Sequence, residues 1–134
     1  MINIEQALPL RQSVLWPGHP LSHAMVPGDE AALHFGLYHD ETLVSVASLF
    51  PDDHFGIQLR KFATLPQMQG RGFGRRMLDH LLAQARDRGA THLWCDARVS
   101  ARDFYAKSGF REEGEVFERK GQSYIVMQHT FDRP

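Results

Sequence analysis

Gln69-Gly70-Arg71-Gly72-Phe73-Gly74 reads Q-x-x-G-x-G. It lies between a strand-like run at 58–64 and a helix-like run at 73–88. Glycines at the start of a helix let several backbone N–H groups point at one place, where the positive end of the helix dipole adds to them. This is the arrangement of a phosphate cradle. Arg71, Arg75 and Arg76 cluster around it, which suits a small polyanion better than a duplex.

The spacing sorts the phosphate motifs. A P-loop requires G-x-x-x-x-G-K-[ST], and no Lys-Ser or Lys-Thr follows these glycines. A dinucleotide fold requires G-x-G-x-x-G at the first strand–helix turn. Counted from Gly70, the third glycine position is Arg75, and three strand-like runs precede the turn rather than one. A helix start with flexible glycines and no ligand is the plain structural alternative.

Working outward, residues 7–15 read as a short helix, broken by Trp16-Pro17-Gly18-His19-Pro20. An irregular loop follows to Asp29. Residues 32–39 and 42–50 read as a hairpin turning at His39-Asp40-Glu41, and 55–64 as a third strand. On the helix from Phe73, the side chains of Phe73, Met77, Leu81, Leu82 and Ala85 share one face, and Gly89 stops it. Residues 92–96 form a short buried-type strand. Ser100 is expected to cap a second helix, with Asp103 as reciprocal partner, ending at Gly109. Residues 115–119 and 123–130 are the last strands, joined at Lys120-Gly121. The order predicts a mixed α/β (α+β) layer structure around one central sheet, as one domain over residues 1–134.

Composition narrows the function. The formal net charge is −1, with both signs mixed along the chain, so no broad field draws nucleic acid. No run approaches ~18 consecutive apolar residues, so no membrane span is expected. Cys95 is the one cysteine, which excludes an internal disulfide and a four-cysteine zinc site. With no secretory signal visible at residues 1–5, a cytoplasmic setting is expected.

Thirty residues beyond the glycine turn, Phe104-Tyr105-Ala106-Lys107-Ser108-Gly109-Phe110 matches F-Y-x-x-x-G-F. The two motifs together resemble the GNAT superfamily of N-acetyltransferases. A longer set of pieces, among them Gln58-Leu59-Arg60, Leu93-Trp94-Cys95, Ala97-Arg98 and Gly114-Glu115-Val116, is similar to the bacterial glyphosate N-acetyltransferase group. The resemblance implies a GNAT fold with splayed parallel strands, acetyl-CoA as co-substrate without a metal, and a small amine as acceptor. It also allows a homodimer.

The same resemblance implies residue roles. Backbone groups of Phe62, Ala63 and Thr64 would pair with the pantetheine arm as an added strand does. Gln69, Gly70, Arg71, Gly72, Phe73, Gly74 and Arg75 would hold the pyrophosphate. A backbone N–H near Phe62 or Ala63 would face the developing oxyanion. Tyr105 would protonate the departing thiolate, being itself protonated at neutral pH. Arg60 and Arg98 would clamp the acceptor's acidic group.

Two departures from that group stand out. Trp16 occupies the place of a third substrate arginine. Tyr124, ahead of Ile125-Val126-Met127, occupies the place of a catalytic histidine. Trp16 offers an apolar or cation-binding wall, and Tyr124 orients the substrate more readily than it acts as a base. The expected acceptor therefore carries one carboxylate and more apolar bulk than glyphosate. His34 reads as a packed structural residue, and His129 belongs to no motif. Asp96 beside Arg98 is a carboxylate able to neutralise that arginine. A non-catalytic acetyl-CoA sensor and a protein or peptide N-acetyltransferase are the competing functions.

Overall fold

The computed structural model describes residues 1–131. Its strands form a six-stranded mixed sheet in the order β1-β2-β3-β4-β6-β5, where β1 is Leu33–His39, β2 Thr42–Pro51, β3 Ile57–Thr64, β4 His92–Arg98, β5 Arg111–Arg119 and β6 Gln122–Thr130. The helices are α1 (Ile4–Leu15), α2 (Phe73–Asp87) and α3 (Arg102–Ala106). The mixed α/β class expected from the sequence is what forms. No helix among the described residues is long and apolar enough to cross a membrane. The chain divides into two compact units, described in turn.

The first unit comprises Met1–Phe50 and Leu59–Leu81. Helix α1 starts earlier than its apolar pattern suggested. Asn3 and Gln6 form a capping box, each side chain accepting the other's backbone N–H at 2.9 and 2.8 Å. Strands β1 and β2 pair antiparallel from Leu33↔Leu49 to His39↔Thr42. Their turn places Asp40 and Glu41 at φ 49° and 66°, the two-residue geometry that suits strand twist. Ala7 and Leu10 of α1 pack with Val46 and Ala63 in a buried cluster. In α2 the buried positions include Leu78, at 0% exposure, whereas Leu82 is only half-buried.

Arg11 is wholly buried in this unit. Its guanidinium donates to both Asp29 carboxylate oxygens at 3.0 Å, to the Ala24 carbonyl at 2.9 Å and to Ser48 Oγ at 2.8 Å. His34 completes the network. Its Nε2–H donates to the Asp29 carbonyl at 2.8 Å, so Nδ1 accepts from the Ser48 hydroxyl at 2.6 Å. His34 is therefore the packed residue the sequence suggested. The network ties α1 and β1–β2 to a segment folded as two 3-10 turns, Leu21–Ala24 and Asp29–Ala31, where an irregular loop was expected. Burial alone would raise the Asp29 carboxyl; the hydrogen bonds from Arg11 and the Val26 N–H outweigh it and hold the group below its usual range.

The second unit comprises Pro51–Gln58 and Leu82 onward. Here β3 pairs in parallel with β4 at Ile57↔Leu93 and Gln58↔Trp94. Strand β6 lies antiparallel to β4 and to β5. Alternation is clean on β4 and β6. Leu93, Cys95 and Ala97 are buried with Ile125 and Met127, while Trp94, Asp96, Tyr124 and Val126 are half-exposed. Strand β5 is longer than expected, beginning at Arg111. The expected Ser100 cap does not form. A 3-10 turn at Val99–Ala101 leads directly into α3, whose first turn has no side-chain cap. Continuity of that turn with α3 removes the extended N-cap geometry a capping serine needs.

Candidate active site

The glycine turn of the first unit follows a 3-10 turn at Pro66–Met68 and runs into α2. Gly70 and Gly72 adopt φ 77° and 85°, and a Cβ built at either meets nothing within 4 Å. The glycines are thus required by backbone conformation, and the space before them is open. Gly72, Phe73 and Gly74 head the helix, and no carbonyl among the described residues accepts from their N–H groups. These are the donors an anion needs. Arg71 lies over the Phe73 ring at 5.4 Å, with Nη1 3.2 Å from Met68 Sδ. Gln69 shapes the turn itself, because its side chain donates to the Thr64 carbonyl at 3.1 Å and folds the turn back on β3.

The end of β3 is shaped by one residue the sequence does not flag. Lys61 lies at φ 56°, a left-handed conformation inside a strand that costs a non-glycine about 1–2 kcal/mol. It interrupts the pleat between Arg60 and Phe62. Beyond it, Leu65 N–H donates to the Val44 carbonyl at 2.9 Å and Ser45 Oγ to the Ala63 carbonyl at 3.2 Å. Residues 63 and 65 thus turn their backbone groups toward β2. Arg60 is half-buried, its guanidinium 5.6 Å from the centre of the Phe50 ring.

Trp16 forms the C-cap of α1. Its ring meets His19 and His23 edge-on at 5.5 and 5.9 Å, and the two imidazoles stack at 4.8 Å. Gln12 fastens this turn, donating to the carbonyls of Trp16 and His19 at 3.2 and 2.9 Å. Trp16 is therefore part of a three-ring aromatic surface, of which the sequence pointed to Trp16 alone.

In the second unit, Tyr105 is 9% exposed on α3, and its hydroxyl is hydrogen-bonded with the Cys95 thiol. Burial, together with the Cys95 sulfur, pushes the tyrosine well above its ordinary range. Burial and the Asp96 charge push the Cys95 thiol up to about 12, against the lowering effect of the Tyr105 hydrogen bond. Both groups keep their protons at working pH. Phe110 lies 5.3 Å from Tyr105 and 5.7 Å from His129. His129 Nδ1–H donates to the Ser108 carbonyl at 2.9 Å, anchoring the end of the α3 turn. A Cβ on Gly109 would come within 3.0 Å of that imidazole, so Gly109 of the F-Y-x-x-x-G-F motif answers to close approach as well as to its φ of 85°.

The opposite face of the β4–β6 pair carries the charged residues. Arg98 is exposed at the end of β4, directly across from Tyr124, and Tyr124 is directly across from Phe117 on β5. The Phe117 and Tyr124 rings stack at 5.8 Å. Arg119 lies over both, at 5.3 and 5.6 Å, and donates to Asp96 Oδ2 at 3.2 Å. Asp96 is thus paired with Arg119 and not with Arg98, for which no ion pair exists among the described residues. Arg119 is not visible as a site residue in the sequence, because only the hairpin register places it there.

The family model described as "Acetyltransferase (GNAT) domain" matches residues 12–131. The chain belongs to the GNAT acetyltransferase family. It is 30% identical to the uncharacterized N-acetyltransferase YitI of Bacillus subtilis, over 96% of this chain and 93% of that protein. Among solved structures, Escherichia coli ElaA superposes with a TM-score of 0.83 at 19% identity, covering 96% of this chain and 92% of that one. A Bacillus subtilis acetyltransferase in complex with CoA superposes with a TM-score of 0.76 at 14% identity, covering 98% and 95%. These structures share the GNAT fold. As a member of the family, the chain is an N-acetyltransferase that takes acetyl-CoA as co-substrate and an amine as acceptor. The positive-φ glycines, the open space before them and the unaccepted N–H groups at the head of α2 fit the pyrophosphate of that co-substrate.

Proposed function

We propose that this GNAT enzyme acetylates a small primary or secondary amine bearing a carboxylate, and that the whole chain works as one N-acetyltransferase domain. One observation carries the acceptor class: Arg98, exposed and without an ion-pair partner among the described residues, stands across from Tyr124 on an open sheet face. An unpaired guanidinium beside a phenol suits a carboxylate. Arg60, oriented on the Phe50 ring, is proposed as an anion contact of the first unit. The resemblance of the sequence motifs to the glyphosate N-acetyltransferase group supports an anionic amine, and the Trp16–His19–His23 rings of the first unit are proposed as an apolar contact.

The acyl donor supplies a thioester carbon open to attack by a neutral amine. Backbone N–H groups of Gly70, Gly72, Phe73, Gly74 and Arg75 hold the pyrophosphate, with Arg71 and Arg75 adding charge. Phe62, Ala63 and Thr64 line the pantetheine arm. The N–H of Phe62 meets the oxygen charge that develops during attack. Attack forms the N–C bond and breaks the C–S bond; Tyr105 gives a proton to the leaving sulfur, and the proton shed by the attacking nitrogen passes to solvent, which restores the tyrosine. Tyr124 orients the amine.

The test is free-thiol release from acetyl-CoA over a panel of amino acids and small amines, repeated with Arg98→Ala. The proposal expects release with carboxylate-bearing amines and a KM at least about tenfold higher in the variant, the scale of a lost charge-assisted hydrogen bond. An unchanged KM removes Arg98 from the acceptor site.

A further inference from the structure

The acceptor-side face of the second unit holds more charge than Arg98 alone. Arg119 is held on three sides: the Phe117 ring at 5.3 Å, the Tyr124 ring at 5.6 Å and Asp96 Oδ2 at 3.2 Å. Its side chain is nevertheless 52% exposed, against 20% for Asp96. A guanidinium has five N–H donors, and the contact to Asp96 runs from Nη2. Donors therefore remain for a ligand, on a group whose rotamer is already restrained by packing. Arg98 belongs to the same face, two residues along β4 from Asp96 and directly across from Tyr124. Glu113 and Arg111 occupy the rows farther along β5 and offset one another in formal charge, with Glu113 accepting from Gln128 at 2.9 Å.

We infer that Arg119 is a second acceptor-binding cation and that Asp96 sets the charge of the site, so that it selects amines with a single negative charge over dianionic ones. This rests on the acceptor reading proposed above. Arg98 and Arg119 contribute two positive charges, and Asp96 removes one. The remaining single charge matches one carboxylate. A second anionic group on the acceptor meets the Asp96 carboxylate, which offsets the attraction of the second guanidinium. Asp96 acts through Arg119 and is a positioning residue. Arg119 touches the acceptor. The stacked Phe117–Tyr124 pair then forms the floor on which the acceptor's body rests.

The experiment uses isosteric acceptors that differ by one charge, L-glutamine against L-glutamate and L-asparagine against L-aspartate. Thiol release gives kcat and KM for each, and equilibrium titration with N-acetylglutamine and N-acetylglutamate gives binding apart from turnover. The wild-type chain is expected to favour the singly charged member of each pair. Asp96→Asn is expected to move the ratio about three- to tenfold toward the dianion, through KM and through product affinity, with kcat little changed; this is the scale of one unit charge across a solvated site. Arg119→Gln is expected to raise KM for all four acceptors, and Arg119→Gln combined with Asp96→Asn to recover part of that loss. A charge ratio unmoved by Asp96→Asn, in turnover and in titration alike, overturns the inference and leaves a surface ion pair. Absence of acetylation and of binding with every carboxylate-bearing amine overturns the acceptor reading itself, and the inference with it.

Discussion

Arg98 on β4 and Tyr124 on β6 stand directly opposite one another on the half-exposed face of their strands. Three residues before Arg98, Cys95 turns to the other face, where its thiol is hydrogen-bonded with the Tyr105 hydroxyl. One pair of strands thus presents acceptor-type groups on one side and the proposed proton donor on the other. In Arg98→Ala the acceptor KM is expected to rise about tenfold or more with kcat preserved, because a carboxylate contact is made alike in ground and transition states.

Tyr105→Phe is expected to lower kcat by about 10² or more while acceptor KM changes little, as the loss of an acid acting in the transition state does. Burial raises Tyr105 above its ordinary range, so the hydroxyl stays protonated throughout the range in which amines lose their proton. The rate should therefore climb as the acceptor amine deprotonates, with no falling limb between about pH 7 and pH 9. A pH–rate profile measured to that limit checks this, and wild-type turnover in Tyr105→Phe would remove the donor role.

Cys95 offers a chemical check on the same geometry. Its thiol is 3% exposed and pushed up to about 12 by burial. A thiol reagent at pH 8 should leave the native chain unmodified and react fully once denaturant is added. Rapid modification of the folded chain would contradict the packing of Tyr105 on Cys95.

The glycine turn was legible because conformation itself demanded its residues: positive φ at Gly70 and Gly72 is a requirement that sequence displays directly. The same holds for Gly109, whereas the face of α2 was legible only in part, since Leu78 is buried on it and Leu82 only half-buried. Lys61 was not legible, since nothing in a lysine announces a left-handed residue inside a strand. Arg11 and Asp29, eighteen positions apart, gave no sign that they meet in a buried pair. Arg119 became a candidate site residue only through the register Phe117↔Tyr124. The capping box Asn3-x-x-Gln6 was visible in the letters, but the buried residues of α1 begin only at Ala7 and so mark its beginning too late.

That buried pair carries a stability expectation. Removing one partner of a buried ion pair costs about 3–5 kcal/mol, so Arg11→Met should unfold at markedly lower denaturant concentration with its m-value unchanged. Arg11 Nε is itself buried without a partner, which limits the pair's net worth but not the cost of breaking it. The Asp29 carboxyl is held below its unfolded value, so its contribution is present above about pH 4 and is lost as pH falls through the depressed folded value. Urea titrations at pH 7 and pH 3 should show that loss in the wild-type chain and not in Asp29→Asn.

At the cradle, Gly72→Ala should cost about 1 kcal/mol of stability, because the backbone stays at positive φ in open space. Gly72→Glu sets a carboxylate where the pyrophosphate is proposed to lie. Calorimetric titration with coenzyme A should then show affinity reduced at least about tenfold, with the circular dichroism spectrum retained.

The acceptor class is most directly tested by acetylation of amino acids against their carboxamides, which share every atom of the amine but lack the negative charge. With the wild-type enzyme and saturating acetyl-CoA, thiol release should proceed with the acids and show a KM at least about tenfold higher for the matched amides. Equal KM values for acid and amide would contradict a carboxylate-reading site at Arg98 and Tyr124.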